Sequence, residues 1–94
     1  MKKYVIERDL PAIGTLAREE LRAGAAKSNE ALRKLAPRVQ WLHSYVANDK
    51  TFCIYLADDP KDIMEHAKLS GFPANKVTEV RKIIDPMTAN GSSS

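Results

Sequence analysis

With 94 residues, 44% hydrophobic and 29% charged side chains, the chain has the size and composition of one globular domain; domains run from about 50 to 250 residues, and a chain this short buries only roughly 60% of its unfolded surface. No stretch reaches the ~18 apolar residues of a membrane span. The single cysteine cannot close a disulfide within the chain, and charges interrupt Met1–Arg8 before a secretory apolar region forms, so a cytoplasmic location is expected. Fifteen Lys and Arg against twelve Asp and Glu leave a net charge of +3. The densest basic stretches, Arg33–Lys34 and Arg81–Lys82, are only pairs; without a basic stripe or a stacking platform, nucleic acid is not the expected partner.

Lys3 to Arg8 reads as a short strand in which Tyr4 and Ile6 alternate with Val5 and Glu7. Pro11 and Gly14 break it. Thr15 is the expected N-cap of a long helix to about Leu35, because Ala17, Leu21, Gly24/Ala25, Ser28, Leu32 and Leu35 recur at helical spacing. That stripe is narrow and small, suited to lying close against a sheet. Gly24 costs about 1 kcal/mol in a helix relative to Ala, which points to close backbone approach.

Pro37 ends the helix, and Val39 to Ala47 alternates as a second strand with Val39, Trp41, His43 and Tyr45 on one side. After the Asn48-Asp49-Lys50 turn, Thr51 to Ala57 forms a third strand with Thr51, Cys53 and Tyr55 opposite Phe52, Ile54 and Leu56. A three-residue turn would collect Val46, Phe52, Ile54 and Leu56 on one aliphatic face, whereas a two-residue turn would set Ile54 beside His43; the first is preferred. Asp58-Asp59-Pro60 opens a second helix and Gly71 stops it. A last strand over about Val77 to Asp85 would turn Val80 and Ile84 toward the helices and Glu79 and Arg81 away. The domain is expected over residues 1–88, with a disordered tail at 89–94.

The order β-α-β-β-α-β is that of the ferredoxin-like split βαβ arrangement: an α+β fold in which two helices cover one face of a four-stranded antiparallel sheet. The name describes topology only, since one cysteine cannot hold an iron–sulfur cluster. On this reading the uncovered face carries Glu7, Trp41, His43, Tyr45, Cys53, Tyr55, Glu79 and Arg81. So aromatic a face calls for a partner, and two sheets packed into a homodimeric α+β barrel supply it. Each candidate has a plainer role too: His43 as a packing residue, Cys53 as a small hydrophobe, Glu79 and Arg81 as an edge ion pair, and His66 as a cation at a helix C-terminus. Imidazole and carboxylate together suit Ni, Cu or Zn, which makes His43, His66, Glu7 and Glu79 the candidate metal ligands. Adjacent Glu65 and His66 diverge by ~100° on a helix and would not chelate one ion together.

The segments Met1–Arg8, Gln40-Trp41-Leu42-His43-Ser44-Tyr45-Val46, Asp49-Lys50-Thr51-Phe52-Cys53-Ile54-Tyr55, Glu65-His66-Ala67, Gly71-Phe72-Pro73-Ala74, Val80-Arg81 and Ile84-Asp85-Pro86 resemble the small bacterial nickel-binding, ferredoxin-like family, originally a group of unknown function. The resemblance spans residues 2 to 88. It implies a dimeric α+β barrel and, from a characterised relative, nickel binding without established catalysis; Trp41, His43, Tyr45, Cys53 and His66 are the motif residues it carries over. The leading expectation is therefore a homodimer, joined through the uncovered face, that binds nickel or another divalent transition metal. The alternative is a small-molecule enzyme of monooxygenase or isomerase type, with His43 as base and Tyr45, Cys53 or Tyr55 orienting substrate. A third reading is an interaction module with no ligand.

Overall fold

A computed structural model of the chain describes residues 1–91. Strand β1 (Lys2–Asp9) leads through a short 3-10 turn (Ile13–Thr15) to helix α1 (Arg18–Leu35); strands β2 (Val39–Val46) and β3 (Lys50–Ala57), helix α2 (Pro60–Ser70) and strand β4 (Lys76–Val80) follow. The sheet order is β2-β3-β1-β4, with all neighbours antiparallel. Both helices lie on one face, as the order of elements implied.

Local chemistry sets the helix ends. Asp59 caps α2 by accepting the Lys61 N–H at 2.8 Å, Pro60 takes the first turn, and Gly71 closes the helix at φ 76°, where a side chain would be strained. Helix α1 starts two residues later than expected: Thr15 ends the 3-10 turn, Ala17 takes the N-cap position, and the Glu20 carboxylate accepts the Ala17 N–H at 3.2 Å.

The faces of the sheet are the main correction to the sequence reading. Ala47 N–H bonds the Lys50 carbonyl at 2.9 Å across a two-residue Asn48-Asp49 turn, so His43 lies beside Ile54, Tyr45 beside Phe52 and Ser44 beside Cys53. The register then slips at Leu42, and beyond this bulge Trp41 pairs with Tyr55 and Val39 with Ala57. A bulge inserts one residue and reverses the alternation. Val39, Trp41 and Ser44 consequently share the covered face, while His43 and Tyr45 share the open one.

Under the helices lie Tyr4, Ile6 and Arg8 from β1 and Thr51, Cys53, Tyr55 and Ala57 from β3, all buried. The aromatic set belongs there because α1 presents Gly24, Ala25, Ser28 and Ala31, and small helix residues leave room for large rings rising from the sheet. Strand β4 is short, and its sides are also the reverse of those expected: Val77 and Glu79 lie in register with Ile6 and Tyr4 on the covered face, and Val80 lies beside Lys3 on the open one. Ile84 is outside the strand and 78% exposed. Pro86–Asn90, which overlaps the expected tail, forms a 3-10 turn capped by Asp85; residues 92–94 of that tail lie outside the described residues.

Candidate functional site

A cavity of about 210 Å³ lies between α1 and the covered face of the sheet. Its apolar wall comes from Leu10, Ile13 and Leu16 in the β1–α1 connection, from Leu21 on α1 and from Phe72 after α2. Three bonds to the β2–β3 turn anchor the connection: Leu10 N–H to Asp49 O at 3.0 Å, Ala12 N–H to the Asp49 carboxylate at 2.9 Å, and Gly14 N–H to Asn48 O at 2.9 Å.

Polar groups gather at the deep side. The Arg8 guanidinium donates to the Pro73 carbonyl at 2.6 Å, to the Phe72 carbonyl at 3.4 Å and to the Tyr55 hydroxyl at 3.5 Å, and lies 5.9 Å from the centre of the Tyr55 ring. Tyr55 in turn faces the His66 ring at 5.1 Å between centres, and Ser28 Oγ meets His66 Nε2 at 3.1 Å. Burial pushes the His66 pKa down to about 4, with the Arg8 charge adding to the effect and the Ser28 contact opposing it, so the imidazole is neutral at pH 7. Burial likewise raises the Tyr55 pKa, against the Arg8 charge, and the phenol keeps its proton. His66 Nδ1 and the Tyr4 hydroxyl are buried with no protein hydrogen-bond partner.

The sequence candidates divide between the two faces. His43 and Tyr45 stand exposed on the open face, joined at 3.2 Å between Nε2 and the phenol oxygen. Glu7 is on that face too, paired with Lys50 at 3.8 Å. Cys53, Tyr55 and Trp41 line the cavity on the covered face, together with Ser44, whose Oγ accepts from Trp41 Nε1 at 2.9 Å. Of the proposed catalytic set, then, Cys53 and Tyr55 meet the cavity, and His43 and Tyr45 point to the opposite side of the sheet. Of the proposed metal set, His66 is 1% exposed beneath α1 and Glu79 is paired with Lys2 at 4.0 Å and Arg81 at 3.0 Å, so these two are remote from His43 and Glu7.

Arg8 and Ser28 were missed as site residues. Arg8 continues the Tyr4/Ile6 alternation, and that phase placed it under the helices; Ser28 sits in the small stripe of α1.

The molecule is thus an α+β domain of ferredoxin-like topology with a ligand-sized cavity under its helical layer. It belongs to the nickel responsive protein SCO4226-like family, whose profile matches residues 4–80. Its fold is similar to that of SCO4226 from Streptomyces coelicolor A3(2), known from a crystal structure, with a TM-score of 0.73 covering 87% of this chain and 99% of that one at 9% identity. No curated protein sequence matches the chain. No helix among the described residues is long and apolar enough to cross a membrane.

The described side chains of a single chain do not fit a nickel ion. Among the described residues no three His, Cys, Asp or Glu converge; His66 is buried with Nε2 engaged by Ser28, and the carboxylates of Glu7 and Glu79 face lysine or arginine on opposite faces.

Proposed function

We propose that the chain acts as a cytoplasmic homodimeric binding protein, joined through the open sheet face, and that its family's link to nickel runs through that joined face. The supporting observation is the composition of the face: Val5, Phe52, Ile54, Leu56 and Val80 are only half-buried, and Tyr45 is 61% exposed. A contiguous apolar patch of this kind is covered in stable assemblies. The free, buried Cys53 suits a reducing compartment. His43 is the imidazole a second copy can reach, and a two-fold axis would double both it and Glu7, providing donors that one chain lacks. Sedimentation equilibrium should return twice the chain mass. Calorimetric titration of metal-stripped protein with nickel should give heat that is lost in His43→Ala and retained in His66→Ala. A monomer at tens of micromolar would overturn the assembly, and nickel heat unchanged by His43→Ala would overturn the metal assignment.

A further inference from the structure

The cavity beneath α1 ends on a cation with no anionic partner. Arg8 is 3% exposed, and its hydrogen bonds run to two backbone carbonyls and a phenol, all neutral. Among the described residues no Asp or Glu lies within ion-pair distance of it. Glu20, the acidic residue of the cavity wall, is exposed and accepts from the Ala17 N–H. Neutral dipoles reduce the cost of burying a guanidinium but leave its charge uncompensated, and a buried charge is costly unless paired.

Apart from the exposed Glu20 and the hydroxyls of Ser28, Ser44, Thr51 and Tyr55, the rest of the chamber wall is apolar, with Leu10, Ile13, Leu16, Leu21 and Phe72 lining it. A guanidinium at the wall of an apolar chamber selects a ligand with one anionic head and a compact hydrocarbon body, and its fork of N–H donors matches a carboxylate. Size narrows the class further. An apolar cavity of about 150 Å³ accepts a benzene ring, so about 210 Å³ holds one ring or short branched chain plus its acid group.

We propose that this cavity binds a small apolar monocarboxylate, its head at Arg8 and its body against Leu10, Leu16 and Leu21. The site belongs to a single subunit and is independent of the open face and of nickel. Trp41 and Tyr55 stack at 6.4 Å between ring centres and form a flat wall on the sheet side, which favours a planar body over a bulky one. Selectivity follows from charge as much as from shape, because the neutral analogue of the same body leaves the guanidinium uncompensated.

The test is titration of isotope-labelled protein at neutral pH with benzoate and, separately, with benzyl alcohol, with thermal unfolding in parallel. Benzoate should saturate at one molecule per chain, raise the melting temperature and move the backbone amides of Arg8, Ser28 and Phe72. Benzyl alcohol should bind at least about tenfold more weakly, the loss of one charge-assisted contact. Ala25→Phe, which fills the chamber from α1 and leaves Arg8 in place, should cut benzoate affinity by at least about tenfold while the spectrum stays folded. Arg8→Gln should abolish the preference for the acid. Should either variant fail to fold, the wild-type comparison decides alone. Equal affinity for acid and alcohol, no saturation up to about 20 mM, or shifts confined to His43, Tyr45 and Ile54 on the open face would overturn the proposal.

Discussion

Ser28 Oγ on α1 stands 3.1 Å from His66 Nε2 on α2, a polar bridge between the two helices under which Tyr55 packs at 5.1 Å from the imidazole. The bond is buried, so removing one partner strands the other. Ser28→Ala is expected to destabilise the fold by about 1–3 kcal/mol, the usual cost of leaving a buried polar group unpaired. For a domain of this size that is roughly a 4–8 °C lower melting temperature per kcal/mol, readable by circular dichroism. An unchanged melting temperature would mean that the bridge contributes nothing.

The same imidazole makes stability depend on pH. His66 is neutral in the fold, with a pKa lowered from 6.5 to about 4, chiefly by burial and secondarily by Arg8. Between these two values the unfolded chain binds a proton that the folded chain does not, so stability falls as pH drops from about 6.5 to 4 and levels off below. A separation of this size corresponds to about 3 kcal/mol. Urea unfolding at several pH values should show the slope in the wild type, and His66→Gln should flatten it in that window; equal slopes in both would assign the titration elsewhere.

The sequence carried the element order, the caps of α2 and the small stripe of α1, because each is written locally: Asp59-Pro60 and Gly71 mark one helix, and Gly24, Ser28 and Leu35 recur on one side of the other. Face assignment was not local. The strict alternation of Val39 to Val46 gives no sign of the bulge at Leu42, which is fixed by pairing with β3, and the bulge alone moves Trp41 away from His43 and Tyr45. Without it Trp41, His43 and Tyr45 read as one exposed cluster, and the preferred three-residue turn, in place of the two-residue Asn48-Asp49 turn, adds Cys53 and Tyr55 to that face. The Ser28–His66 bridge and the Arg8–Pro73 bond join residues 38 and 65 positions apart, so only the tertiary fold reveals that polar centre.

Gly14 is the tight point of the segment that roofs the cavity. A Cβ there would stand 2.6 Å from the Ala47 carbonyl oxygen and 2.8 Å from the Asn48 Cα, both backbone atoms that cannot rotate away. Gly14→Ala is therefore expected to push the connection off the β2–β3 turn, break the Gly14 N–H bond to Asn48 and cost about 1–3 kcal/mol. Hydrogen exchange at Gly14 and at Leu10 should accelerate together. If Gly14→Ala matches wild type in melting temperature and exchange, the roof is not held by this contact.

Ile54 lies in the middle of the open face, between His43 on β2 and Val5 on β1. In the single chain it is only half-buried, so Ile54→Lys can lift its ammonium into water along an apolar stem and cost the isolated fold little. Across two apposed sheets the same ammonium would be desolvated with no carboxylate directly beside it, a cost of several kcal/mol per subunit and hence twofold in a symmetric pair. For the homodimer proposed above, Ile54→Lys is therefore expected to halve the mass seen by light scattering while leaving the circular dichroism spectrum unchanged. The cavity on the other face is built without Ile54, so carboxylate binding should survive in the monomer. A variant that remains dimeric would move the interface off this face, and one that loses its helical signal would show that the face supports the fold itself.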